Sequence, residues 1–353
     1  MQARSVLVSA LVLIRPPRAN VTATLALVVS LALALAAQSG AAPRRASRRV
    51  PALTSVVLPA SASAWDLAIG EAARSGLGRA QGAVVAMDPR TGRVHALVNP
   101  SLGMQRAFQP CSVFKIVVGI AGLSEGVITP DTTYRCRKGC WMWAGHGAIG
   151  LERALAVSCN PYFEWVGEQL GYEKVQRYAH LLGLGEPSGI NLTGETAGRV
   201  PEFVKPSAVG HLSSHAEGIA TSALQLAVLI SATVNGGVVL KPQVSGPDGF
   251  TATERWRLPE GTRLEGLSTG FAGAVNEGSA SAAFDPEVAV AGKTGTCSAL
   301  GWFASYAPAD KPELVVVVFL RQGSGHGASA VAGRIFRQLF GSGTGPTAAA
   351  GMP

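Results

Sequence analysis

GAVVAMDPRTGRVHALV, residues 82–98, reads as two strands folded on one turn. An apolar run stops at Asp88-Pro89-Arg90-Thr91-Gly92, and a second run of β-branched and apolar residues follows. Proline presets one turn dihedral and glycine tolerates a left-handed one, so the break is a hairpin turn. Near the other end, residues 288–296 and 314–320 have strand composition, with 302–307 between them. Alanine- and leucine-rich segments with helical spacing fill the middle, at 113–125, 151–157, 174–182 and 223–234, and a closing helix is expected around 328–340. Strands, then many helices, then strands predict an α+β fold whose sheet draws on both ends of the chain. No internal repeat is evident.

The chain has 353 residues, 47% hydrophobic and 15% charged, which suits one sizeable domain with tails and excludes a disordered protein. The formal charge is +8, but seven arginines precede residue 51 and the first acid is Asp66, so the remainder carries only +1. The basic character therefore belongs to the N-terminus and points to a membrane or export role, not to nucleic acid. Two apolar stretches, 5–14 and 21–37, are followed by small residues at 39–42. Residues 1–42 read as a signal peptide or a single membrane anchor, flanked by arginines on both sides so that charge does not orient it. Residues 43–64 read as a linker, 65–340 as the folded domain and 341–353 as a disordered tail. All five cysteines lie in the folded part, where export would expose them to oxidation.

Ser112-Val113-Phe114-Lys115 is a Ser-x-x-Lys at the start of an expected helix, where i and i+3 share a face. A serine is a poor nucleophile until a base takes its proton, and a lysine serves if burial and nearby positive charge keep it neutral. Alone, the pattern is commonly a solvated helix face. Only seven of the 30 basic residues are lysines, however, and Lys115 is followed by IVVGIAGL. Arginine cannot be deprotonated usefully, so a lysine embedded in an apolar run is suggestive. Ser158-Cys159-Asn160 follows the helical stretch at 150–157, and Lys293-Thr294-Gly295-Thr296 sits on an apolar strand. Separately these are a helix-end turn and a strand end.

In this order, Ser-x-x-Lys, Ser-x-Asn and Lys-Thr-Gly resemble the serine penicillin-recognising enzymes. DPRTGRVHALV, GHGAIGLERALAVSCNPYF, GLGEPSGINLTGETAGRVP, TSALQLAVLISATVNGGVVLKPQ and GWFASYAP look like class B penicillin-binding proteins, so the resemblance spans about residues 80–340. It implies a β-lactamase/transpeptidase-like fold, an antiparallel sheet flanked by a helical subdomain. It also implies an exported, periplasmic or otherwise extracytoplasmic enzyme, inner-membrane-anchored if the N-terminus is retained. The partners implied are D-Ala-D-Ala stem peptides of peptidoglycan and β-lactams.

Carried over position by position, Ser112 attacks the carbonyl, Lys115 accepts its proton and Ser158 relays a proton to the leaving amine. Asn160 binds the substrate backbone and Lys115, and Lys293 raises the local positive potential. Thr294 and Thr296 hold the substrate carboxylate, while Gly295 lets the substrate lie close to the strand. The N–H groups of Ser112 and Thr296 form the oxyanion hole. No metal or organic cofactor is implied. The rival within the family is a serine β-lactamase, for which Glu186-Pro187-Ser188-Gly189-Ile190-Asn191 has the wrong length and leucine position. A non-turnover scaffold is a third reading.

The residue before the nucleophile in this family is often glycine; here it is Cys111, and Cys297 follows Thr296. Each cysteine adjoins one implied oxyanion donor, an arrangement that resembles the active-site disulfide of class A carbapenem-hydrolysing β-lactamases. A Cys111–Cys297 disulfide is expected, against two buried free thiols. Cys136 and Cys140 are expected to close a second, small disulfide loop rather than a metal site, since no second ligand pair is evident nearby. Cys159 reads as a small core residue. His211, His215 and Glu217 lack the HExxH order of a zinc helix and read as a loop or surface pair.

Overall fold

The computed structural model describes residues 55–137, 140, 144–246 and 248–341. The expected signal or anchor at 1–42 and all but the first residue of the expected tail lie outside these. Among the described residues no helix is long and apolar enough to cross a membrane. The first part of the chain forms β1 (Val56–Val57), α1 (Ala64–Leu77), β2 (Gly82–Met87), β3 (Val94–Val98) and the one-turn α2 (Pro100–Gly103). A 3-10 turn (Cys111–Phe114) then runs into α3 (Lys115–Ser124). The middle carries the ribbon β4 (Tyr134–Cys136) and β5 (Gly147–Ile149), then α4 (Leu151–Ala156), α5 (Asn160–Leu170), α6 (Tyr172–Leu181), α7 (Val209–His215) and α8 (Ala223–Val234). A second ribbon, β6 (Val238–Leu240) and β7 (Glu254–Arg257), precedes α9 (Leu267–Asn276). The chain closes with β8 (Ala291–Cys297), β9 (Leu300–Ala307), β10 (Leu314–Arg321) and α10 (Gly325–Phe340).

The main sheet has the order β1-β3-β2-β10-β9-β8, with every neighbouring pair antiparallel. Its strands come from both ends of the chain, and the 82–98 hairpin forms with Val85 opposite Leu97. β10 lies inside the sheet and its side chains alternate between two cores. Val315, Val317 and Phe319 join the helical core, while Val316, Val318 and Leu320 pack with α1 and α10. A strand covered on both faces has no polar side to show, which is why LVVVVFLR reads as an unbroken apolar run. Helix α3 is likewise buried from Lys115 to Leu123, as expected of a helix that is apolar all round.

From Ser55 on, the stretch read as a linker is already part of the fold. Val56 and Val57 pair with Val98 and Leu97, and Ser63 caps α1 through a reciprocal box with Asp66. A two-residue edge strand carries too little periodicity to be read from sequence. Helices α5, α7 and α9 and both ribbons also went unread, all of them short elements that packing stabilises more than propensity does.

Asp66 does more than cap. Fully buried, it accepts hydrogen bonds from Arg93 at 2.7 Å and contacts His95 Nδ1 at 2.7 Å, tying α1 to the hairpin. Burial pushes its carboxyl up, but hydrogen bonds from His95, Arg93 and Ser63 outweigh this and hold it well below the usual carboxylate range. Removing one partner strands the others' polarity, so Asp66→Ala should cost about 3 kcal/mol. The check is the urea midpoint at neutral pH; a change within error would show that the cluster holds nothing together.

Candidate active site

Three loci converge between the sheet and the helical subdomain. The 3-10 turn and the start of α3 supply Ser112 and Lys115, the α4–α5 turn supplies Ser158 and Asn160, and β8 supplies Lys293. Lys115 Nζ lies 3.1 Å from Ser112 Oγ, 2.9 Å from the Ser158 carbonyl, 3.2 Å from Ser158 Oγ and 2.5 Å from Asn160 Oδ1. Lys293 Nζ reaches the same Ser158 Oγ at 2.8 Å and its neighbour's carbonyl, that of Thr294, at 2.9 Å. One serine hydroxyl thus bridges two amines.

Both lysines are fully buried. Loss of water pushes Lys115 down to about 7, against a smaller upward pull from Cys159, Cys140 and Glu164. Burial, then the charge of Lys115, holds Lys293 well below its ordinary value. An amine near neutrality, hydrogen-bonded to a serine hydroxyl, is the activated-nucleophile arrangement.

The backbone is bent to make these contacts. Cys111 and Ser158 have φ of +54° and +55°, in the left-handed region that costs a residue with a Cβ about 1–2 kcal/mol. A glycine is the easy occupant of the first position; here a cysteine takes the conformation, and its sulfur lies within bonding reach of that of Cys297, Cα atoms 5.7 Å apart. The pair joins the turn that carries Ser112 to the end of β8. Gly295 closes the approach: a Cβ there would meet the Pro110 carbonyl at 2.5 Å. Trp302, buried on β9, donates from Nε1 to the Gln109 carbonyl at 2.8 Å and holds the same turn from below.

β8 is an edge strand, so one of its edges is unpaired within the sheet. Thr296 is exposed there and accepts from the Gly325 N–H at the start of α10, 2.7 Å. Its own proton remains free to point outward. Thr294 is nearly buried, and its hydroxyl lies 2.7 Å from that of Ser279.

Two site features escaped the sequence reading. His215 Nε2 lies 3.2 Å from Asn160 Nδ2, so this histidine belongs to the site and helps aim Asn160 Oδ1 at Lys115. The His211 ring stacks on it at 4.2 Å and pairs with Glu217 at 3.0 Å, which is the surface pair expected. Trp302 is the other, visible in sequence only as an aromatic in an apolar strand. The second disulfide is a correction. Cys136 and Cys140 are free thiols, and they face Cys159 and His146 instead of each other alone. Among the described residues no carboxylate hydrogen-bonds to Ser112 or Lys115, and Glu186 instead pairs with Arg255 at 3.3 Å.

Residues 82–341 match the family model described as penicillin binding protein transpeptidase domain. Among curated relatives, the peptidoglycan D,D-transpeptidase MrdA of Acinetobacter baumannii is 25% identical over 71% of this chain and 49% of its own length. Stage V sporulation protein D of Bacillus subtilis is 28% identical over 63% of this chain and 40% of its own. The chain thus spans about half the length of these relatives or less. Pseudomonas aeruginosa PBP2, solved in complex with WCK 5153, shares the fold with a TM-score of 0.69 at 21% identity, covering 80% of both chains.

Two outcomes follow from the geometry. Reaction of Ser112 with an acyl donor should rise with pH through an apparent pKa of about 7, as Lys115 loses its proton, and Lys115→Arg should slow it about a thousandfold. Because this folded pKa lies below the unfolded one, the buried amine also makes stability increase from pH 7 upward. A flat rate profile in stopped-flow would remove Lys115 as the base. Peptide mapping of non-reduced protein should recover a Cys111–Cys297 cross-link; two alkylatable thiols there would refute it.

Proposed function

The chain belongs to the penicillin binding protein transpeptidase domain family, and from that membership we propose that it is a serine D,D-acyl transferase of peptidoglycan. Its substrate is a stem peptide ending in D-Ala-D-Ala, acting as a D,D-transpeptidase or carboxypeptidase. The observation that carries the reading is the shared hydroxyl: Lys115 touches Ser112, Ser158 and Asn160, while Lys293 holds Ser158 from the other side.

On this reading neutral Lys115 takes the Ser112 proton as Oγ bonds to the penultimate carbonyl carbon. The negative oxygen is held by the N–H groups of Ser112 and Thr296, each such donor being worth about 3 kcal/mol. When the intermediate collapses, the C–N bond breaks and the departing D-alanine amine takes the Ser158 proton, which Lys115 replaces across 3.2 Å. Acyl-Ser112 remains, to be passed to an amine or to water. Lys293 and Thr296 receive the terminal carboxylate. Thr294, already engaged with Ser279, shares this task less directly. β-Lactams enter the same path because their strained amide presents the same carbonyl and carboxylate. The domain is taken to work outside the cytoplasm, delivered or tethered by residues 1–42.

The test is intact-mass analysis over time after mixing the protein with benzylpenicillin. A long-lived adduct on Ser112, absent from Ser112→Ala, is expected. A transient adduct with consumption of the drug would make the protein a β-lactamase, and no adduct would leave a scaffold.

A further inference from the structure

Cys136, Cys140, His146 and Cys159 place four ligating atoms within 4.8 Å of one another. Cys136 ends β4 opposite Gly147, the first residue of β5, so His146 lies beside it. Cys140 comes from the connection between these strands, and Cys159 is the N-cap of α5. His146 Nδ1 lies 3.6 Å from Cys136 Sγ and 3.4 Å from Cys140 Sγ, and Cys140 Sγ lies 4.0 Å from Cys159 Sγ. A tetrahedral zinc ion, with Zn–S of about 2.3 Å and Zn–N of about 2.0 Å, has S···N edges of about 3.5 Å and S···S edges of about 3.8 Å. These three separations are close to the edges of such a tetrahedron, and no two of the four atoms are more than 4.8 Å apart.

We propose that Cys136, Cys140, His146 and Cys159 form a closed, structural zinc site. Three thiolates and an imidazole select a borderline-soft ion over calcium or magnesium. Four protein donors leave no position for water, so the ion would hold structure and not supply a nucleophile. The first two ligands have the C-x3-C spacing of a zinc pair. Binding one Zn2+ displaces the three thiol protons to solvent and changes no oxidation state.

The site has a consequence for catalysis that rests on the acyl-transfer reading. Cys159 stands between Ser158 and Asn160, both hydrogen-bonded to Lys115. Fixing its sulfur to the β4–β5 ribbon fixes the strained turn that presents them.

The experiment uses the full chain purified without chelator, with metal measured by plasma mass spectrometry. About one zinc per chain is expected in the wild type and in Ser112→Ala, and a small fraction of that in Cys140→Ser and His146→Ala. If those variants fold poorly, mercurial titration of folded wild type provides the check, releasing one zinc to a colorimetric indicator. Stripping zinc should lower the melting temperature and slow benzylpenicillin acylation about tenfold, with recovery on adding Zn2+. Wild type that retains no zinc after reconstitution with Zn2+ and mild chelator competition would overturn the proposal, as would a Cys136–Cys140 disulfide in native protein. Zinc-loaded protein that never acylates would keep the site and defeat the acyl-transfer reading instead.

Discussion

Two fully buried lysine side chains end on one hydroxyl. Two ammonium groups cannot share so dry a space, because each raises the cost of charging the other and bulk solvent is not there to screen them. The pair therefore has to give up a proton, and it can do so only while the pocket stays closed. Closure needs both layers of the fold. Lys115 is carried by a helix sunk in the helical core and Lys293 by the last strand of the sheet. Neither layer alone makes a neutral amine, so the chemistry exists only at their seam.

That seam is held by contacts outside the three motifs. Trp302 braces the nucleophile's turn from the neighbouring strand, and Gly295 lets the turn's carbonyl touch the strand edge. The cross-link at Cys111 holds a residue whose backbone conformation is unfavourable in isolation. Such strain persists only where the surroundings over-determine it. Here the surroundings are a disulfide on one side and, through Ser158, a hydrogen-bonded amine on the other.

How much of this could be read in the sequence depended on distance along the chain. Ser112 with Lys115, and Lys293 with its threonines, are short-range patterns that became legible through their order along the chain together with Ser158-Cys159-Asn160, and the long strands and α8 follow from composition and spacing. His215 could not be recovered, because its partner Asn160 is 55 residues away and only folding brings them together. The four-ligand cluster failed for the same reason. Cys136 and Cys140 look like a pair to be joined until β5 and the α4–α5 turn deliver His146 and Cys159. Helix α5 was hidden by its aromatic content, although Pro161 in its first turn is a start signal. The Cys111–Cys297 link was legible only through resemblance, since 186 residues separate the two.

The position of that link also decides how the molecule would carry a pulling force. Tension applied at the two ends of the domain runs through β1, β2 and β3 to Cys111, crosses the sulfur bridge to Cys297, and leaves through β9, β10 and α10. The helical subdomain and β8 form a closed loop off this line of load. A stretched or fraying chain would release its terminal elements, β1 and α10, while the turn carrying Ser112 and the lysine-bearing strand stayed coupled. A single backbone cut within the loop would likewise leave both sides of the site on one covalent body.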